Sequence, residues 1–194
     1  MTFSPLMIQG SWLFTPKKFD DERGSFHESF KLSTISEDIG RGFEVKQANQ
    51  SLSKAGVIRG IHWADVPPGQ AKYISCVRGV IWDVVVDLRV GSETFGMWDA
   101  VELSAENNQS VLIEEGLGHA FLSLADDTVV SYLCSEPFNP SAEHGINPLD
   151  QTLAIPFHKK FEAGNFVISP KDLESPTLAQ AHAKDLLPRI GATE

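Results

Sequence analysis

His119-Ala-Phe-Leu-Ser-Leu124, a turn at Asp126-Asp127 and Thr128-Val-Val-Ser-Tyr-Leu-Cys134 read as two adjacent strands. Successive side chains on a strand point to opposite faces. His119, Phe121 and Ser123 therefore share one face, and Val130, Tyr132 and Cys134 share one on the next strand. His119 and Tyr132 can look into a common interior. The same period groups Gln47 with Asn49 and Ser51, and Lys72 with Ile74 and Cys76. Together these rows mix polar with apolar side chains on what should be the core side, which predicts a barrel lined for a ligand.

Outward from this pair, Val45 to Phe138 consists of short runs rich in Val, Ile, Phe and Trp separated by turn residues, the pattern of an antiparallel sandwich or barrel. Helical signals lie at the flanks. Lys31 to Gly42 reads as a helix closing near Gly40 or Gly42, and Ser175-Pro176 opens a second that runs to about Leu187 before Pro188. The expected fold class is all-β with short peripheral helices. No repeat or low-complexity tract interrupts the chain, so one domain over residues 1–194 is expected.

The chain has 194 residues with 12 Phe and 4 Trp, enough apolar material for a packed core without a disulfide or metal staple. Sixteen Lys and Arg against 26 Asp and Glu leave a formal charge of −10, a poor general partner for nucleic acid or an anionic membrane. The longest nearly apolar stretch, Val77 to Leu88, is broken by Arg78, Asp83 and Asp87, and the N-terminus lacks a signal-peptide pattern. A soluble cytoplasmic protein is expected. Cys76 and Cys134, each beside apolar or small residues, read as two buried thiols.

The densest chemistry lies in Val57-Ile-Arg-Gly-Ile-His-Trp63, followed by Lys72. Strict alternation sets Arg59 and His62 on opposite faces, and a bulge at Gly60 would turn both toward one cavity. A solvated Arg, a core His and a surface Lys are the bland alternative. No metal is expected, because Trp63 and Ala64 follow His62 where a second ligand would stand, and a cationic Lys72 nearby opposes a dication. Arg23 and Phe26, in Asp20-Asp-Glu-Arg-Gly-Ser-Phe-His-Glu28, fit either a solvated charged loop or a phosphate fork beside a stacking surface for a base. Tyr132 alone reads as an amphipathic core residue and Asp172 as a loop acid.

Taken in order, Asp21-Glu-Arg-Gly-Ser-Phe-His-Glu28, Val57-Ile-Arg-Gly-Ile-His62, Lys72, Asp83-Val-Val-Val-Asp-Leu-Arg89, Ser92-Glu-Thr-Phe-Gly96 and Glu115-Gly-Leu-Gly-His-Ala-Phe121 resemble the dTDP-4-dehydrorhamnose 3,5-epimerase family, from about Phe14 to Pro188. The resemblance implies a cupin-type jelly-roll barrel, a homodimer in which strand exchange helps build the sites, and a dTDP-4-keto-6-deoxyhexose substrate. It also implies that His62 removes a proton beside the keto group with Asp172 orienting it, that Lys72 steadies the enolate oxygen and that Tyr132 returns a proton from the opposite ring face. No metal or organic cofactor is implied. Arg59 and His119 would meet the sugar or the developing oxyanion, and Arg23 the diphosphate. Phe26, Glu28, Gln47, Asn49 and Phe138 would line the nucleotide and sugar, and Glu143 is a further binding-side acid. Phe138 departs from the aromatic common in relatives, and Glu114 from proline. Arg23, Arg59 and Lys72 are expected to gather in one basic cleft, since an acidic body attracts a diphosphate only locally. The alternatives are an epimerase of one centre, a ketoisomerase, and a sugar-nucleotide-binding barrel without turnover.

Overall fold

A computed structural model describes residues 2–162 and 165–191. Two sheets face each other. The first runs in the spatial order β1 (Thr2–Pro5), β2 (Ser11–Thr15), β10 (Ser110–Ile113), β7 (Lys72–Arg78), β12 (Thr128–Cys134) and β5 (Gln47–Ser53). The second runs β13 (Glu143–Gly145), β6 (Val57–Ala64), β11 (Leu117–Ser123), β8 (Val80–Asp87) and β9 (Trp98–Ser104), with β14 (Val167–Ile168) added in parallel to the start of β6. A separate hairpin, β3 (Lys18–Asp21) with β4 (Gly24–His27), pairs only with itself. From β5 to β8 each strand crosses to the opposite sheet, as do β9 to β10, β10 to β11 and β11 to β12, which makes the body a cupin-type jelly roll.

Three apolar layers hold this arrangement. Between the sheets lie Ile74, Ile81, Val85, Leu103, Val111 and Val130. Beneath the outer face of the second sheet, Ile58, Ile61, Trp63 and Val84 pack on Phe157, Leu178 and Leu187 from the C-terminal segment. The outer face of the first sheet is covered at one end by Ile35 of α1 (Leu32–Ile39) and by Phe43, on Phe14, Tyr73 and Leu112. Both cysteines are buried free thiols.

The flanking helices are shorter and more numerous than their sequence signals. α1 ends where expected, with Gly40 left-handed at φ 78°. Two single turns, α2 (Phe157–Lys160) and α3 (Pro170–Leu173), carry no periodic signal long enough to read. The last helix, α4, spans only Leu178–Ala183 instead of running from Ser175-Pro176 to Leu187. A Thr177/Gln180 capping box starts it later, and Asp185 at φ 53° folds the chain back so that Leu187 enters the core beneath the second sheet.

Candidate active site

The inter-sheet space is filled at one end and hollow at the other, where a cavity of about 700 Å³ opens. Arg59, His62 and His119 enter it from the second sheet, and Gln47, Asn49, Ser51, Lys72 and Tyr132 from the first.

Gly60 puts Arg59 and His62 on the same side. Opposite β11, His62 aligns with His119 and Arg59 with Phe121, so three steps on β6 match two on β11. The additional residue is absorbed at Gly60, whose φ is +110° and whose absent Cβ would stand 2.4 Å from the His119 carbonyl oxygen. No other residue fits there. Ile58, Ile61 and Trp63 consequently face the outer core while Arg59 and His62 face the hollow.

The free edge of β6 receives two further segments. β13 pairs with its end and brings Glu143 to the cavity; β14 pairs with its start and leads through Ser169 into α3. There Ser169 Oγ accepts the Asp172 backbone N–H, and Asp172 Oδ1 lies 2.7 Å from His62 Nε2. A carboxylate only accepts, so His62 donates from Nε2 and keeps Nδ1 as its free nitrogen. Burial works to raise the Asp172 carboxyl, but the His62 hydrogen bond and charge, the Ser169 side chain and the Gly60 backbone outweigh it and hold the acid below its ordinary range.

Across the cavity, Lys72 is buried, and burial lowers its ammonium below the usual lysine value against the opposing pull of Glu143 and Cys134. Burial, with Cys134, raises the Tyr132 phenol; Arg59 opposes this and Glu143 adds to it. The phenol keeps its proton throughout the neutral range. Arg59 is anchored by Nε to Ser53 Oγ (3.1 Å) and by Nη2 to the Leu52 carbonyl (3.2 Å), with no carboxylate partner among the described residues. Gln47 Oε1 accepts the Phe138 backbone N–H at 2.8 Å while its amide donates to Asn49 Oδ1, which fixes the exposed Phe138 ring at the cavity mouth. Among the described residues no group of three His, Cys, Asp or Glu side chains is arranged to hold a metal.

Of the residues singled out from sequence, His62, Lys72, Tyr132, Asp172, Gln47, Asn49, Arg59, His119, Phe138 and Glu143 line this one cavity. Arg23, Phe26 and Glu28 do not. Arg23 is 85% exposed and paired with Asp21, Phe26 is 66% exposed, and Glu28 faces Lys31. The expected clustering of Arg23, Arg59 and Lys72 in one cleft is therefore incorrect for the single chain. The hairpin that carries Arg23 and Phe26, with Glu28 just after it, pairs with no other strand among the described residues and is largely exposed, while Tyr73 Oη donates to the Ser29 carbonyl behind it at 2.7 Å. The sequence reading also missed Lys171, a further cation in the cavity wall, and the bond from His119 to Asp83. Asp83 was visible as an acid in the middle of the apolar run Val80-Ile-Trp-Asp-Val-Val-Val86. Lys171 had no signal, because its place depends on β14 docking.

Residues 5–180 match the family model described as dTDP-4-dehydrorhamnose 3,5-epimerase. The dTDP-4-dehydrorhamnose 3,5-epimerase of Mycolicibacterium smegmatis is 48% identical over 97% of this chain and 91% of its own length. The solved rmlC epimerase of Mycobacterium tuberculosis superposes with a TM-score of 0.96 at 41% identity, covering 100% of this chain and 96% of that one. ChmJ, a 3'-monoepimerase from Streptomyces bikiniensis solved with dTDP-quinovose, superposes at 0.93 with 45% identity, covering 99% of this chain and 94% of that one. With nearly its whole length matched in both sequence and fold, this chain belongs to the dTDP-4-dehydrorhamnose 3,5-epimerase family.

Proposed function

We propose that this chain epimerises dTDP-4-dehydro-6-deoxy-D-glucose at C3 and C5, giving dTDP-4-dehydro-L-rhamnose through an enolate and without a cofactor. The observation that carries this is the opposition of His62–Asp172 on one wall of the cavity to Lys72 and Tyr132 on the other. Inversion requires a base on one face of the sugar ring and an acid on the other, and two facing sheets supply them separately.

His62 Nδ1 takes the proton from a carbon beside the keto group. The C–H electron pair becomes the carbon–carbon double bond, and the carbonyl pair moves onto oxygen. Asp172 holds the imidazole and balances the imidazolium that forms. Lys72, buried in the cavity wall, donates to the enolate oxygen, and a donor held at such a site is worth more than one in bulk water. Tyr132 then delivers its proton to the opposite face of the same carbon as the carbonyl re-forms; His62 afterwards releases the proton it took to solvent, and Tyr132 regains one from solvent. The second centre follows by the same steps on the other side of the keto carbon. Arg59 and Lys171 supply positive charge for the diphosphate.

Proton NMR of the 4-keto-6-deoxy sugar in heavy water with the wild-type protein tests this. Deuterium at both C3 and C5 in an inverted product is expected, and deuterium at neither overturns the reading. Similarity to a protein named a 3'-monoepimerase favours one alternative, inversion at C3 alone, which the same spectrum identifies by label at that carbon only.

The projecting hairpin fits a homodimer in which Arg23, Phe26 and Glu28 of each chain complete the partner's cavity. Phe19 and Phe26 are 50% and 66% exposed there, and Leu52 and Val77 leave an apolar patch open beside the first sheet. Mixing Arg23→Ala and His62→Ala chains should restore turnover that neither has alone, because one site of the hybrid regains both groups. A mixture as inactive as its components contradicts the exchange.

A further inference from the structure

Two acids of β8 are fully buried, and they are bonded very differently. Asp87 receives Arg89 Nε and Nη2 at 2.9 Å, the Arg89 backbone N–H at 3.0 Å, and the Ser92 and Thr94 hydroxyls at 2.6 Å. This is how a carboxylate is buried to serve the fold. Asp83, on the same strand and the same inward face, has a single partner: its Oδ2 lies 2.7 Å from His119 Nε2, and its Oδ1 has no partner among the described residues. An orphaned carboxylate oxygen in a native interior costs stability and calls for a reason other than packing. The single partner lines the cavity and stands in register with His62 on the neighbouring strand. The hollow is thus flanked by two histidines, each tied through Nε2 to its own aspartate.

We propose that Asp83 is a positioning residue for the epimerisation: it keeps the His119 proton on Nε2, so that Nδ1 meets the sugar as a hydrogen-bond acceptor beside His62. The proposal rests on the epimerase reading above. A neutral imidazole whose Nε2–H is taken by a carboxylate has only its Nδ1 lone pair left, which suits a hydroxyl next to the keto carbon and rejects a carbonyl. With that hydroxyl turned toward His119, the ring is held in one orientation and the carbon–hydrogen bond to be broken stays aligned with His62 Nδ1. Small errors in such alignment are expensive in rate. His119 touches the substrate, and Asp83 acts only through it.

Asp83→Asn reverses the relation with almost no change of shape, because the amide can donate to His119 Nε2 and move the ring proton to Nδ1. Expected are a kcat lower by roughly 10- to 100-fold, as for other groups that orient an active imidazole, a KM changed much less, and a thermal midpoint unchanged or raised by removal of a buried charge. Nitrogen-15 NMR of histidine-labelled protein should show His119 protonated on Nε2 alone in the wild type and on Nδ1 in the variant. Adding Asp83→Asn to a His119→Ala chain should lower kcat no further.

A wild-type kcat in Asp83→Asn, losses that multiply in the double variant, or a wild-type His119 protonated on Nδ1 or on both nitrogens would each overturn the proposal. The wild-type spectrum decides the matter even if a variant does not fold. Absence of inversion by the wild type would instead overturn the epimerase reading and is seen separately.

Discussion

The two ends of the inter-sheet space are built from the same strands and have opposite characters. β7 sends Lys72 into the hollow and Ile74 into the core; β12 sends Tyr132 into one and Val130 into the other. β8 sets Asp83 between Ile81 and Val85. Alternation fixes which face of a strand turns inward, while the choice of residue along that face decides whether the space closes or stays open. At the closed end apolar side chains meet and exclude water. At the open end, charged and hydrogen-bonding groups are held apart by their own partners, Arg59 on Ser53 and His62 on Asp172. Within the inter-sheet space, apolar packing is thus concentrated at one end and chemistry at the other, and each can be changed separately.

The largest separation is expected from His62→Gln, whose amide still donates to Asp172. Turnover should fall by about 10³- to 10⁴-fold, about 4–5.5 kcal/mol in barrier, with the thermal midpoint little changed. Steady-state kinetics alongside calorimetry measures both. At the closed end, Ile81→Ala removes a fully buried side chain; chemical denaturation should show a loss of about 2–5 kcal/mol, with kcat per folded molecule retained. Lys72→Met sharpens the contrast by changing sign. Turnover is lost, but removing a buried cation should raise the unfolding free energy by roughly 1–3 kcal/mol.

The smallest effect is in pH. The folded-state Asp172 carboxyl lies below its reference value of 3.8, so the unfolded chain binds the proton more readily as pH falls. Its contribution is fully present above about pH 4 and disappears as pH drops through the folded value. Asp172→Asn should therefore cost stability at neutral pH and progressively less in acid, measured by urea unfolding at stepped pH.

Much of the closed end, and part of the open one, was legible in the sequence. Short β-rich runs with a two-residue period place Ile74, Val130 and Tyr132 on inward faces, and Gly60 between Arg59 and His62 marks the bulge that their common orientation requires. Asp172 was assigned by family resemblance alone, because it reaches His62 through a two-residue parallel pairing that no local periodicity announces. The Asp83–His119 bond joins residues 36 apart on neighbouring strands, and an acid between valines shows that it is unusual without showing its partner. The position of Arg23 was missed for a different reason. Its hairpin leaves its apolar pair, Phe19 and Phe26, exposed instead of packed on the body of its own chain, so its charge and its aromatics stay at the surface.

The central claim is that the proton leaves toward one sheet and returns from the other, and Tyr132→Phe in heavy water tests it most directly. With the phenol gone, His62 should still form the enolate and return deuterium to the face it came from, so recovered substrate becomes labelled while inversion stops. Inversion at the wild-type rate, or loss of labelling as complete as in the His62 variant, would contradict a division of labour between the two walls.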